Sequence, residues 1–369
     1  MATAVTTPGV WSARDTTPAD IEAALLHLMA ERHGNDRVQA PARVLNLVVI
    51  TDRDWKGEIS NRLDRIGHDN PARTIMIVVE KGQKGLDASA MLVHEEASDH
   101  GAPAIFRERI EIDCGPEALE HLGTIVYPVL ASEVGTVAWS PHGHPEAIDA
   151  LVGVADSFLI DSLEYPDTRS AIRRAHELTR NATVMDLAWQ RSTPWRERAA
   201  ATFDPATWRP ALSEISRVTV RMHPDSGISA VLWLGWLASR LGWEPSAINL
   251  DAKGDKTGTA KSAAGVVELV ICDDDSMPVP GLSGATIETQ SGLKVSLDRG
   301  LGGLTARRST STQQTSEWSM IGASRGEDGI LATGVTHALF PDPLFLPALE
   351  AAMMMASVEP INDADDPRR

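Results

Sequence analysis

Two kinds of hydrophobic pattern alternate along the first half of this chain. Residues 44–51 (VLNLVVIT) are almost continuously apolar and rich in β-branched side chains, the pattern of a strand buried on both faces. Trp55, Ile59, Leu63 and Ile66 then recur every three or four positions, and Gly67 closes that helix. Residues 74–79 (TIMIVV) form a second buried strand, so the stretch reads as a βαβ unit with parallel strands. Upstream, Thr17-Pro18-Ala19-Asp20 supplies an N-cap, a proline at the first helical position and an acid in the first turn. That helix carries Ile21, Leu25 and Leu28 and ends near Gly34, and residues 1–16 before it read as a disordered arm. Residues 91–96 and 105–113 alternate apolar and charged positions, which predicts an antiparallel hairpin at a sheet edge. A helix from Gly115-Pro116, a short strand at 136–139, a helix at 145–154 and a buried strand at 157–160 complete the N-terminal pattern.

The second half has a different rhythm. Helix at 168–180, strand at 217–222 and a helix at 226–241 apolar on nearly every side lead into four strand-like runs at 266–271, 285–289, 293–297 and 305–310. Residues 253–264 read as a polar loop, and 344–357 as a last helix. The fold class expected is therefore α/β: a mixed α/β sheet domain over 17–165, then an α+β domain over 166–358 with a buried helix and a mostly antiparallel sheet. Residues 359–369 read as a disordered acidic tail.

Composition narrows the function classes. Acidic residues outnumber basic ones 51 to 34, a net charge of −17 with no basic stripe, which argues against nucleic acid and anionic membrane as partners. The start of the chain lacks the apolar segment of a secretory signal, and the apolar run at 228–241 is too short to span a bilayer, so a cytoplasmic protein is expected. Cys114 and Cys272 have no metal-ligand or redox-motif spacing. The aromatic pool is unusual: six of ten Trp fall between Trp189 and Trp243.

Most candidate chemistry fails its context. Residues 322–326 (GASRG) match a nucleophile elbow around Ser324, but Glu327-Asp328-Gly329 reads as loop rather than the helix that chemistry needs. Residues 254–262 miss the phosphate-loop spacing by two positions. His142 and His144 sit in a proline-bracketed turn, and Asp273-Asp274-Asp275 lacks calcium-loop spacing, so no metal is expected. No G-x-G-x-x-G follows a predicted strand, so no dinucleotide or other cofactor is expected either. Two segments stand out as candidate partner- or anion-binding sites. Arg43, Asn46 and Arg73 lie at the starts of the first two buried strands and would gather at one sheet edge. Asp186, Trp189, Arg191, Trp195 and Arg196 interleave indole and guanidinium groups, the material of interface anchors.

These same segments carry a family resemblance. RVLNLVV at 43–49, NPARTI at 70–75, DSL at 161–163 and DLAWQRSTPWRE at 186–197 resemble the glucose-6-phosphate dehydrogenase assembly protein family, OpcA, over roughly residues 15–357. The resemblance implies a two-domain accessory protein with no catalytic residues, which binds glucose-6-phosphate dehydrogenase and promotes its active oligomer in the oxidative pentose phosphate pathway. The partner enzyme of photosynthetic members is linked to thioredoxin-type control, but Cys114 and Cys272 are too far apart in sequence to suggest a dithiol switch here. The oligomeric state of the chain itself is not fixed by these patterns. The alternative function is an enzyme or sensor that binds a sugar phosphate or nucleotide through the Arg-bearing sheet edge.

Overall fold

The long apolar runs do become buried parallel strands. In a computed structural model of the chain, which describes residues 5–7, 9–35, 44–67, 71–95, 105–250, 256–300, 302–312, 314–321 and 326–358, β3 (Leu45–Asp52) and β4 (Ala72–Val79) pair in parallel. Val48, Val49, Ile50, Ile75, Met76, Ile77 and Val78 are completely buried. Each contributes roughly 1.5–3 kcal/mol relative to an exposed position. The chain divides into two compact units. The first comprises Met1–Ile160, Asn181–Met185 and Leu331–Pro341, the second Asp161–Arg180, Asp186–Ile330 and Asp342–Arg369.

The first sheet also contains β1 (Val5–Thr7), β2 (Val10–Thr16), β5 (Leu86–Glu95), β6 (Ile105–Cys114), β7 (Thr136–Trp139), β8 (Ser157–Ile160) and β9 (Thr183–Asp186). Its spatial order is β1-β2-β5-β6-β4-β3-β7-β8-β9. Strands β6, β4, β3, β7 and β8 run parallel. Helices α1 (Pro18–Asn35), α2 (Lys56–Gly67), α3 (Leu122–Val126) and α4 (Pro145–Ala150) belong to this unit. Thr17 and Asp20 cap α1 reciprocally: the Thr17 amide donates to Asp20 Oδ2 at 3.1 Å, and the Asp20 amide donates to Thr17 Oγ1 at 3.3 Å.

Two expectations need correction here. Within the arm 1–16, β1 and β2 are strands, and β2 pairs with β5 while burying Trp11 and Ala13. The two buried apolar positions alternate in a run otherwise rich in Ser, Arg, Asp and Thr, so the period-two signal was weak. As a consequence β5 and β6, although antiparallel to each other, are interior strands rather than an edge hairpin. The acidic tail 359–369 lies outside the described residues.

The second sheet has the order β11-β13-β14-β10-β15-β16-β17-β18. Its members are β10 (Ile215–Met222), β11 (Glu244–Pro245), β12 (Asn249–Leu250), β13 (Lys256–Ser262), β14 (Gly265–Asp273), β15 (Leu282–Thr289), β16 (Lys294–Gly300), β17 (Gly303–Ser309) and β18 (Thr315–Ile321), with β12 paired to β13. Only the β10–β14 pair is parallel. The supposed loop at 253–264 is largely β13, where Ala260 alone is buried. A cross-strand hydrogen-bond ladder to β14, not an apolar pattern, makes it a strand.

This unit holds α5 (Thr168–Thr179), α6 (Leu187–Arg191), α7 (Thr193–Phe203), α8 (Gly227–Leu241) and α10 (Phe345–Ala356). Every residue of α8 from Ile228 to Ala238 is buried. Gly242 ends it at φ +66°. Gly235 lets α10 approach closely, because a Cβ there would lie 2.2 Å from the Ala348 carbonyl oxygen. Helix α9 (Gly326–His337) replaces the loop expected at 327–329. Ser324 lies outside the described residues, and β18 before it pairs antiparallel with β17. No described helix is long and apolar enough to cross a membrane.

Candidate functional site

In the first unit, Asn46 and Arg73 are register partners in β3 and β4, as their positions at the strand starts suggested. Both are buried. Asn46 donates through Nδ2 to the carbonyls of Ala131 (3.0 Å) and Val134 (3.3 Å), and its Oδ1 accepts from the Ala131 amide at 2.9 Å. It fastens the segment that leads into β7. Arg73 donates from Nε to Glu108 at 2.6 Å and from Nη1 to the Val129 carbonyl at 2.9 Å. An anion-binding sheet edge is therefore not what these two residues build; their polar groups are spent on the protein itself. Arg43 lies outside the described residues.

In the second unit the structure brings two sequence runs together. Asp186, at the end of β9, caps α6: its Oδ1 accepts from the Ala188 amide at 2.9 Å and from the Ser162 amide at 3.1 Å. Arg191 at the far end of α6 grips Asp161 with both terminal nitrogens, at 2.8 and 2.7 Å. Its Nη2 also reaches Glu327 at 2.6 Å. Carboxylates on both sides hold the Arg191 guanidinium above its ordinary pKa despite the burial that opposes it. Asp186 moves up to about 6, through burial first and the nearby Asp161 charge second, against the hydrogen bonds that favour its ionised form. Its Oδ2 is buried with no hydrogen-bond partner.

The aromatic part of the run is equally internal. Trp189 is buried, donates its indole N–H to Asp342 at 2.7 Å and meets Phe345 edge-on at 5.6 Å. The Arg196 guanidinium stacks 3.3 Å from the Trp189 ring centroid. It donates to the Trp189 carbonyl, Ser192 Oγ and Thr193 Oγ1. Trp195 is 4% exposed. Trp189, Trp195 and Arg196, named from the sequence as candidate partner- or anion-binding residues, are buried in the unit, and Arg191 pairs with the exposed Glu327 at its rim.

Sequence reasoning missed a third constellation. In the parallel part of the first sheet, sequential strands β3, β4 and β6 run one way from β3, and β7 and β8 run the other, so the strand order reverses between β3 and β7. Open α/β sheets bind ligands in the crevice at the carboxyl ends of the strands at such a point. Here that crevice holds Asp52, Arg53, Trp55, His142 and His144. Trp55 stacks on His142 with centroids 4.9 Å apart and 22° between planes. Burial holds the His142 imidazole below its ordinary pKa. His144 takes a left-handed backbone, φ +58°, and places Nε2 3.3 Å from Asp52. Arg53 reaches Glu80, at the end of β4, with Nε and Nη2 at 2.9 and 2.7 Å, and Asp113, near the end of β6, at 2.9 Å. The sequence singled out only His142 and His144, weighed as metal ligands; the reversal in strand order that gathers the group needs topology to see. Among the described residues, no group of three or more His, Cys, Asp or Glu could hold a metal ion.

Two family models match the chain. One, described as the glucose-6-phosphate dehydrogenase subunit N-terminal domain, covers residues 63–177; the other, its C-terminal domain, covers 182–349. The chain belongs to the OpcA family. Curated relatives provisionally named OxPP cycle protein OpcA agree. That of Nostoc punctiforme is 29% identical over 187 residues, 49% of this chain and 40% of the relative. That of Synechococcus elongatus is 25% identical over 201 residues, 53% of this chain and 45% of the relative. That of Synechocystis is 27% identical over 193 residues, 51% and 41%. The matched stretch thus spans less than half the length of these OpcA relatives. A solved structure provisionally described as an oxidoreductase, from Parabacteroides merdae, shares the fold with a TM-score of 0.51 at 9% identity, over 87% of this chain and 98% of the other.

Proposed function

We propose that this OpcA-family chain is a non-catalytic cytoplasmic partner of glucose-6-phosphate dehydrogenase that favours the enzyme's active oligomer. The observation that carries this reading is the pair of family models, both described as domains of a glucose-6-phosphate dehydrogenase subunit and together covering most of the chain. Such a partner acts by binding one conformation or oligomer better than the other. A tenfold rise in activity by population shift needs about 1.4 kcal/mol of differential binding, a modest demand on a protein interface. The run from Asp186 to Arg196 contributes by setting the shape of the second unit, with Arg191 and Glu327 at its accessible rim.

The test is a titration of purified dehydrogenase with this chain, reading activity and complex mass together. A saturable rise in activity with a heavier complex is expected. Unchanged activity and unchanged mass at micromolar concentrations of both proteins overturn the proposal. The sugar-phosphate or nucleotide reading loses its main support, because Arg73 is buried against Glu108.

A further inference from the structure

The strand order of the first unit raises a question that the family assignment does not answer. Numbering β3, β4, β6, β7, β8 and β9 first to sixth in chain order, the spatial order is 3-2-1-4-5-6, and the first five run parallel. That is the order of the doubly wound dinucleotide-binding fold. The residues at its crevice can be tested against such a ligand.

The diphosphate would sit where the first strand turns into the first helix, against backbone exposed by glycines. The turn after β3 is Asp52-Arg53-Asp54-Trp55, with no glycine, and the first turn of α2 adds Lys56, which pairs with Glu111, then Gly57 and Glu58. Asp52, Asp54 and Glu58 thus put three carboxylates in the segment where two negative charges would lie, and the cations beside them, Arg53 and Lys56, are already paired with Glu80, Asp113 and Glu111. The acid at the end of the second strand, which in this fold receives a ribose hydroxyl, corresponds to Glu80. Glu80 is already held by Arg53 from the turn after β3, and the same guanidinium binds Asp113. Trp55 and His142, just past the ends of β3 and β7, stack on each other, with Trp55 47% exposed. Charge and hydrogen bonding both disagree with a dinucleotide.

We propose that the crevice is a dinucleotide site closed by an internal latch: Arg53 cross-links the ends of β3, β4 and β6, and the chain takes neither NAD(H) nor NADP(H). The proposal does not depend on which enzyme the chain accompanies. If that enzyme uses a dinucleotide, a closed crevice keeps the accessory chain from competing for it.

The test uses the full chain with NAD⁺, NADH, NADP⁺ and NADPH, each up to about 1 mM, a concentration equivalent to a binding free energy of about −4 kcal/mol. No saturable heat in calorimetry and no energy transfer from tryptophan to bound NADH or NADPH are expected. Saturable binding of any of the four, or of the two phosphorylated forms alone, overturns the closure. The latch has its own readout. The Glu80 amide donates to the Cys114 carbonyl at 2.9 Å, so it reports the pairing of the β4 and β6 ends. In Arg53→Ala, hydrogen exchange at Glu80 is expected to accelerate about tenfold, while amides in the middle of β4 keep their protection. Unchanged exchange at Glu80 overturns the latch.

Discussion

Asp186→Asn offers a quantitative test of the electrostatics in the run that marks this family. Asp186 is 1% exposed, and its midpoint moves from 3.8 to about 6. Between these values the folded protein keeps a proton that the unfolded chain has lost. Stability therefore falls as pH rises through this window: the destabilisation is absent below 3.8 and complete above about 6. At 1.36 kcal/mol per tenfold change in proton affinity, it amounts to about 3 kcal/mol at neutral pH. Asparagine removes the ionisation while keeping an oxygen for the amides of Ser162 and Ala188. It also puts an amide group where Oδ2 has no partner, which costs roughly 1–3 kcal/mol at every pH. The constant cost and the titration separate cleanly. The stability difference, variant minus wild type, should become more favourable to the variant by about 2 kcal/mol between pH 4 and pH 7.5, whatever its absolute sign. Paired urea unfolding curves at pH 4, 5, 6 and 7.5 measure it, and carbon NMR of the Asp186 carboxyl reads the midpoint directly. A difference that stays flat across this range, or a midpoint near 4, refutes the reasoning.

Other perturbations follow from packing. Arg73→Ala withdraws the guanidinium from buried Glu108 and should cost about 3–5 kcal/mol, whereas Arg73→Met with Glu108→Leu should recover most of that; chemical denaturation distinguishes the two. Gly235→Ala would press a methyl group against the Ala348 carbonyl and force α8 from α10, an overpacking loss of about 3 kcal/mol seen as a lower melting temperature. Burial pushes the Cys114 thiol up to about 11, so in a Cys272→Ser background it should stay unreactive toward a disulfide reagent at pH 8 until urea is added.

Where one physical signal decided the structure, the sequence was readable. Continuous apolar β-branched runs became β3 and β4, and Gly242 ended α8 where only a left-handed residue fits. The misread elements share a cause. β2, β13 and α9 bury few side chains and are fixed by partners distant in sequence: β5 for β2, β14 for β13, and Arg191 for Glu327 at the start of α9. Such partners leave no local periodicity. The same holds for the crevice. Arg53, Glu80 and Asp113 are ordinary surface-type residues until topology places the ends of β3, β4 and β6 side by side.

The run from Asp186 to Glu197 was legible as a marker and misleading as a surface. A segment rich in Trp and Arg looks like an interface anchor, but the same groups also suit an interior in which each indole and guanidinium finds a partner. Trp189 has Asp342, Phe345 and Arg196; Arg191 has Asp161 and Glu327. This changes which substitution tests partner binding. Trp195→Ala combined with Arg196→Ala would remove a buried indole, at about 3–5 kcal/mol, and a buried guanidinium, so lost stimulation of the dehydrogenase would report a damaged unit rather than a lost contact. Glu327 is the discriminating position, since its side chain is 60% exposed and exposed ion pairs contribute at most about 1 kcal/mol. In Glu327→Gln, Arg191 keeps both bonds to Asp161 and the melting temperature should move by no more than about 2 °C. If the rim around Arg191 meets the dehydrogenase, this variant should weaken complex formation severalfold at unchanged stability. Full complex formation by Glu327→Gln places the contact on another part of the surface.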